Sequence, residues 1–157
     1  MGFSWPFLAE PHPIESLIEP MEWGRAHYTV VRMPQSLVDA AREAGTRRVA
    51  GRLEDVEVNC ALTSAPVLSD TFVWAGAGLL RRLRLEAGDP VTGHLAPVDP
   101  DHVPVPSDLA EALSRRSLLD IWESLPPATR RRRLAAVETA SAPATRLRRI
   151  TALLDAL

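Results

Sequence analysis

Four histidines (His12, His27, His94 and His102) and a single cysteine, Cys60, are the residues of this chain best suited to metal or nucleophilic chemistry. A metal site within one segment needs ligands at spacings such as i, i+4 or Cys-x-x-Cys, and no such spacing occurs. Asp99, Asp101 and His102 could hold a cation weakly, although an acidic linker in solvent is the commoner reading of such a run. Cys60 shares an apolar face with Val58 and Leu62, which favours a buried small hydrophobe. His94 alternates with Gly93 and Leu95 along a strand and is expected to face outward or to lie at a lumen edge. There is no Ser/His/Asp ordering and no glycine-rich phosphate loop. An enzyme would have to assemble a polar cluster from separated residues such as His27, Asn59 and His94. No metal or cofactor is implied.

Binding chemistry has better candidates. Trp23, Tyr28, Asn59 and Trp74 could line a pocket, since aromatic walls with one amide suit a small ligand. The competing reading packs the tryptophans in a core and bonds Asn59 to backbone. Gly76-Ala77-Gly78 before a helix is the nearest thing to a phosphate cradle, but glycines there also serve a tight turn. The run Arg130 to Arg133 invites a nucleic acid, yet successive helical residues turn by about 100° and so point around the whole cylinder. Such a run also lies early in its helix, where positive charge opposes the dipole, and Asp120 or Glu123 are the nearest compensating acids. Arg146 and Arg149 complete the set as candidate nucleic-acid or anion contacts.

Elements must position these residues within 157 residues that carry 46% apolar and 24% charged side chains and 14 prolines. That length suits one compact domain or two small subdomains. Every basic residue is arginine, and 18 of them against 20 acids leave a net charge of −2. After Pro106 nine arginines face six acids, whereas the rest of the chain has nine against fourteen. A lone cysteine excludes an intrachain disulfide framework. Apolar runs such as Val73 to Leu80, with eight residues, are too short to span a bilayer. The first residues lack a basic region and a long apolar core, so no secretory signal is expected and a cytoplasmic protein is.

Residues 1–13 read as an irregular arm in which Phe3, Trp5, Phe7 and Leu8 could pack. Residues 14–98 read as short strands: Ile14 to Ile18, Tyr28 to Arg32, Val49 to Leu53, Val56 to Leu62, Thr71 to Ala75 and Val91 to Val98. Two short helices interrupt them, one with Leu37, Val38, Ala41 and Ala44 stopping at Gly45, the other with Leu79, Leu80 and Leu83 ending near Gly88. Five or six strands with two inserted helices suggest a small barrel. Residues 99–106 form a Pro-rich linker that suits neither helix nor central strand. Residues 107–157 read as three or four helices, with Ser107 and Ser141 as N-caps and Pro127 at a first helical position. Leu118, Ile121, Trp122 and Leu125 form one apolar stripe, and Leu147, Ile150, Leu154 and Leu157 another.

Several segments carry a family resemblance. They are Met33-Pro34, Arg48-Val49-Ala50-Gly51, Leu85-Glu86-Ala87-Gly88-Asp89-Pro90-Val91, Val105-Pro106-Ser107-Asp108-Leu109, Ala112-Leu113 and Ala144-Thr145-Arg146-Leu147-Arg148-Arg149-Ile150. Together they resemble the YdeI/OmpD-associated (bacteriocin-protection) family, from about Ile14 to Leu157. Met21 to Arg25, Val58 to Leu62 and Phe72 to Gly76 look like one branch of it. Ala144, Ser141 and Gly76-Ala77-Gly78 depart from the family pattern, which often has an acid, a Lys and an Asn-Lys pair at those places. The resemblance implies a bacterial protein in which a β-barrel domain of unknown function precedes a C-terminal helical segment. The Gly88-Asp89 turn into a strand is similar to the double-split barrel of AbrB-like DNA-binding proteins.

The expectation is therefore an α+β protein, a small double-split-barrel-like domain followed by a helical segment. Its expected role is non-catalytic binding of a small molecule or a protein at the barrel, with homodimerisation as an option. AbrB-like nucleic-acid binding is the first alternative and is less favoured; an enzyme of unknown reaction is the second.

Overall fold

A computed structural model describes residues 6–157, so the packing expected of Phe3 and Trp5 lies outside the described residues. The chain divides into two compact units, one ending at Pro100 and one comprising Asp101–Leu157.

The first unit is a seven-stranded antiparallel sheet with two helices. Its elements are β1 (His12–Trp23), β2 (Ala26–Arg32), α1 (Gln35–Glu43), β3 (Arg48–Leu53), β4 (Val56–Ala61), β5 (Thr63–Ala65), β6 (Leu68–Trp74), α2 (Ala77–Leu83) and β7 (Pro90–Pro97). The strand order is β4-β3-β7-β1-β2-β6-β5. The expected barrel is not closed: β4 and β5 stand at opposite ends of the order and do not pair with each other. They are nevertheless consecutive in sequence, with only Leu62 between them. The sheet must therefore curl until its two edges nearly meet, which gives a barrel-like path without a closing ladder.

β1 makes this curl. Its first half, His12 to Leu17, pairs with β7, and its second half, Ile18 to Trp23, pairs with β2. Only Ile14 to Ile18 carries a strand signal in the sequence, because Pro13 and Pro20 argue against a longer one. The hydrogen-bond directions resolve this. The Ile18 N–H donates to Asp89 O at 2.8 Å, toward β7. By strand alternation the missing N–H of Pro20 faces that same side, where β7 no longer pairs, and that of Pro13 faces the side where β2 has not yet begun. Neither proline removes a ladder bond.

The main core lies on one face of the sheet, with Ile14, Ile18, Val31, Leu37, Val49, Leu53, Val73, Val91 and Leu95 at its centre. The α1 stripe supplies Leu37 and Ala41, and the helix ends in a Schellman motif. Thr46 N donates to Ala41 O and Gly45 N to Arg42 O, with Gly45 at φ +73°. Buried Thr46 then ties the turn to the sheet, its hydroxyl donating to Val98 O at 2.9 Å and accepting from Arg48 N at 3.0 Å. α2 ends earlier than Gly88, with Arg84 in the left-handed region. Phe7 bridges to Val98 and Leu8 N donates to Pro97 O, so this part of the arm continues the edge of β7.

β3 and β7 approach so closely that two positions admit no side chain. A Cβ on Gly51 would sit 2.1 Å from His94 O, and one on Gly93 would sit 2.0 Å from Arg52 O. Gly51 also has φ +152°, which side-chain-bearing residues rarely adopt.

The second unit is all helix: α3 (Ser107–Arg115), α4 (Leu119–Ser124), α5 (Pro127–Glu138) and α6 (Pro143–Asp155). Its own core gathers Val103, Leu109, Leu113, Trp122, Leu134, Val137, Ile150, Leu153 and Leu154. Pro127 opens α5 at its first turn. The serine caps are corrected, since Pro106 and Ala142 occupy the N-cap positions and neither makes a side-chain cap bond. Both expected stripes are narrower than drawn. Ile121 is 44% exposed and Leu147 65% exposed, because α4 is only six residues long and the buried side of α6 runs through Ile150, Leu153 and Leu154.

Gly51→Ala is predicted to lower the stability of the sheet unit by about 3 kcal/mol or more, the scale of severe overpacking against backbone. Gly78→Ala, with open space around it and no positive φ, is predicted to be neutral or mildly stabilising. Urea denaturation of the two variants beside the wild type checks the contrast.

Candidate functional site

Trp23, Tyr28 and Trp74 come from three strands and reach one face of the β1-β2-β6 half of the sheet. The register explains it. Met21 pairs with Tyr28, Trp23 with Ala26, and Val30 with Trp74, so Met21, Trp23, Tyr28, Val30, Phe72 and Trp74 all point to the side opposite the main core. Tyr28 lies 4.9 Å from Trp74 between ring centroids at a tilt of 49°. Trp74 also meets Phe72 edge-on, at 5.0 Å and 79°, a favourable aromatic arrangement. A small second core of Met21, Val30, Ala65 and Phe72, with Leu68 against it, forms on this side.

The three outer aromatics are left half open. Trp23 is 41% exposed, Tyr28 40% and Trp74 38%, although Val30 and Phe72 on the same face are fully buried. Leu17, also on this face of β1, is exposed as well. Charge borders the patch. Arg32 donates from Nε to Glu19 at 2.7 Å and from Nη1 to Asp70 at 2.8 Å, linking β1, β2 and β6. The hydrogen bond to Glu19, then that to Asp70, hold Arg32 still more firmly in its charged form. On the opposite face of the hairpin end His27 Nδ1 lies 3.3 Å from Glu22. No local sequence signal marks the Glu19–Arg32–Asp70 network, because its members are brought together only by strand register.

The other candidates lie elsewhere. Asn59 sits on β4, in the other half of the sheet, where Arg48 holds its side-chain oxygen from Nε at 2.8 Å and Nη2 at 2.6 Å. It does not join the aromatic group. Neither do His27, Asn59 and His94 form a cluster, since β3 and β1 intervene between their strands β4, β7 and β2. Cys60 packs against the main core, and burial pushes its thiol up to about 11 despite the opposing charges of Arg48 and Arg82. Gly76 precedes the seven-residue α2 and its carbonyl accepts from Leu80 N. His12 meets Ser36 at 3.2 Å. Among the described residues no group of three or more His, Cys, Asp or Glu side chains is placed to hold a metal ion.

In the helical unit Arg146 and Arg149 are engaged internally. Arg146 clasps Asp108 through two bonds of 2.7 and 3.0 Å, joining α6 to the first turn of α3. Arg149 donates to Ala136 O at 2.8 Å and to Thr139 Oγ1 at 3.1 Å. Arg130 donates to Leu125 O at 3.1 Å, so a carbonyl at the end of α4 meets part of the arginine run's charge.

An antiparallel sheet followed by a helical segment defines an α+β protein. Residues 102–157 match the family described as "Bacteriocin-protection, YdeI or OmpD-Associated", and this helical segment is the part of the chain that carries that family's signature. No curated protein and no solved structure matches the chain. No helix among the described residues is long and apolar enough to cross a membrane.

The Arg146 hydrogen bond holds the Asp108 carboxyl below the usual carboxylate range. A depressed carboxylate stabilises the fold above its unfolded pKa and loses that contribution as pH falls through the folded value. Asp108→Asn is therefore predicted to destabilise the helical unit at pH 7 by at most about 1 kcal/mol, the limit for a solvent-screened pair. The gap between variant and wild type should close as pH drops below about 4, the ordinary range of an aspartate. Denaturation followed by helical circular dichroism at several pH values measures it.

Proposed function

We propose that this chain is a non-catalytic interaction protein, working through protein contacts made by the aromatic face of β1, β2 and β6. The carrying observation is the half-open set Trp23, Tyr28 and Trp74, three rings from three strands on one apolar face. Tryptophan and tyrosine are the residues that most often dominate protein interfaces, and solvent-exposed apolar patches mark contact surfaces.

The occupant we assign to this face is a second copy of the chain. Glu19 and Asp70 lie on the patch's own face with Arg32 bonded to both, so the border carries both signs. A two-fold pairing can set such a border against itself with opposite charges facing, without like-charge repulsion. Affinity then comes from aromatic burial, and salt has little effect on it. A nucleic acid is less well supported: Arg146 and Arg149 are committed to Asp108, Ala136 and Thr139, and phosphate-driven binding falls steeply with salt.

Sedimentation velocity of the wild type, Trp23→Ala and Trp74→Ala tests this reading. A dimer is predicted that persists at high salt and whose dissociation constant rises by about 30-fold or more in the variants, as for hot-spot truncations of ~2 kcal/mol. Circular dichroism confirms that each variant is folded. A monomer at all accessible concentrations, or an association that survives both substitutions and dissolves in salt, contradicts it.

A further inference from the structure

We infer that a second site lies in the sheet unit, a cleft at the C-terminal end of α1 that takes a phosphate monoester with a small apolar body. The cleft encloses about 440 Å³ and lies between the α1–β3 turn and the link from β4 to β5. This is within the size range of small-molecule sites. Its lining divides by chemistry. Val38, Ala41 and Leu62 give an apolar floor, whereas Arg42, Arg47, Thr63, Ser64 and Thr71 bring charge and hydroxyl groups.

The end of a helix ordinarily attracts arginines because its last carbonyls are unsatisfied. Here the Schellman motif occupies two of those carbonyls, Ala41 O accepting from Thr46 N–H and Arg42 O from Gly45 N–H, and Ala40 O accepts from Ala44 N–H. The arginines are left for another role. Among the described residues Arg42 has only a distant charged neighbour, Asp39 at 3.8 Å. The Arg47 guanidinium has no ion pair or side-chain hydrogen bond among the described residues, and neither has the Ser64 or the Thr71 hydroxyl. Two guanidinium groups and two hydroxyls offer more donors than the two oxygens of a carboxylate can accept. A terminal phosphate, with three oxygens and a charge near −2, matches them better. The floor of Val38 and Leu62 would take the organic part.

The site is independent of the aromatic face, so either reading can fail alone. Titration of uniformly 15N-labelled protein with phenyl phosphate, and separately with inorganic phosphate, at constant ionic strength tests it by amide shifts. Saturable shifts confined to Gly45–Arg47 and Thr63–Ser64, at least threefold tighter for phenyl phosphate, are expected. Arg47→Gln should weaken both ligands about tenfold while leaving the thermal midpoint unchanged, and Arg47→Lys should recover part of the affinity. Shifts spread over the arginines of both units, equal response to sodium chloride, or affinity unchanged in Arg47→Gln would overturn the assignment.

Discussion

The structure of the sheet unit depends on one division of hydrogen bonds. β1 gives its first six residues to β7 and its last six to β2. A strand that changes partner midway forces the sheet on either side into different directions. The two halves therefore curl toward each other, and Leu62 can join the far edges with a single residue. The same division leaves Pro13 and Pro20 harmless, since each faces the side on which β1 has no neighbour. It also turns Met21 and Trp23 onto the face where Tyr28 and Trp74 stand. On the other side of β1, the β3–β7 ladder leaves no room for a side chain at Gly51 or Gly93.

From that arrangement follows an uneven distribution of apolar surface. Val30 and Val31 are adjacent, point to opposite faces and are both fully buried, as are Phe72 and Val73. A sheet edge region with both faces apolar normally lies inside a larger assembly or beneath another layer. Here three aromatic rings form the outer layer and remain half open. The Glu19–Arg32–Asp70 network fixes the strands beneath them without making the face strongly charged. The helical unit has a separate core around Trp122, and Arg116, Arg146 and Arg149 hold its own helices and carbonyls.

Much of this was readable locally. The α1 stripe ending at Gly45, the alternation of Val56, Val58 and Cys60, and Pro127 at a helix start are all encoded within a few residues. So is the shared face of Phe72 and Trp74. The rest depends on partners far away in sequence. Whether Pro20 breaks a strand is decided by the absence of β7 beside it, which no window around residue 20 contains. Arg146 looks like a free cation until Asp108, 38 residues earlier, is found to hold it. Asn59 looks like a ligand contact until Arg48 is seen to clasp it across the β3–β4 hairpin. Ser107 and Ser141 resemble caps by type, yet Pro106 and Ala142 take those positions. Leu147 fits a helical stripe, but the buried side of α6 is set by where α3 and α5 lie.

Hydrogen–deuterium exchange of the wild type at low and high protein concentration addresses the central claim most directly. Added protection at high concentration is predicted for segments of β1 after Ile18, β2 and β6, with no change in α3 to α6. Protection that does not depend on concentration, or that rises in the helical unit instead, would contradict the assignment of the aromatic face as the contact surface.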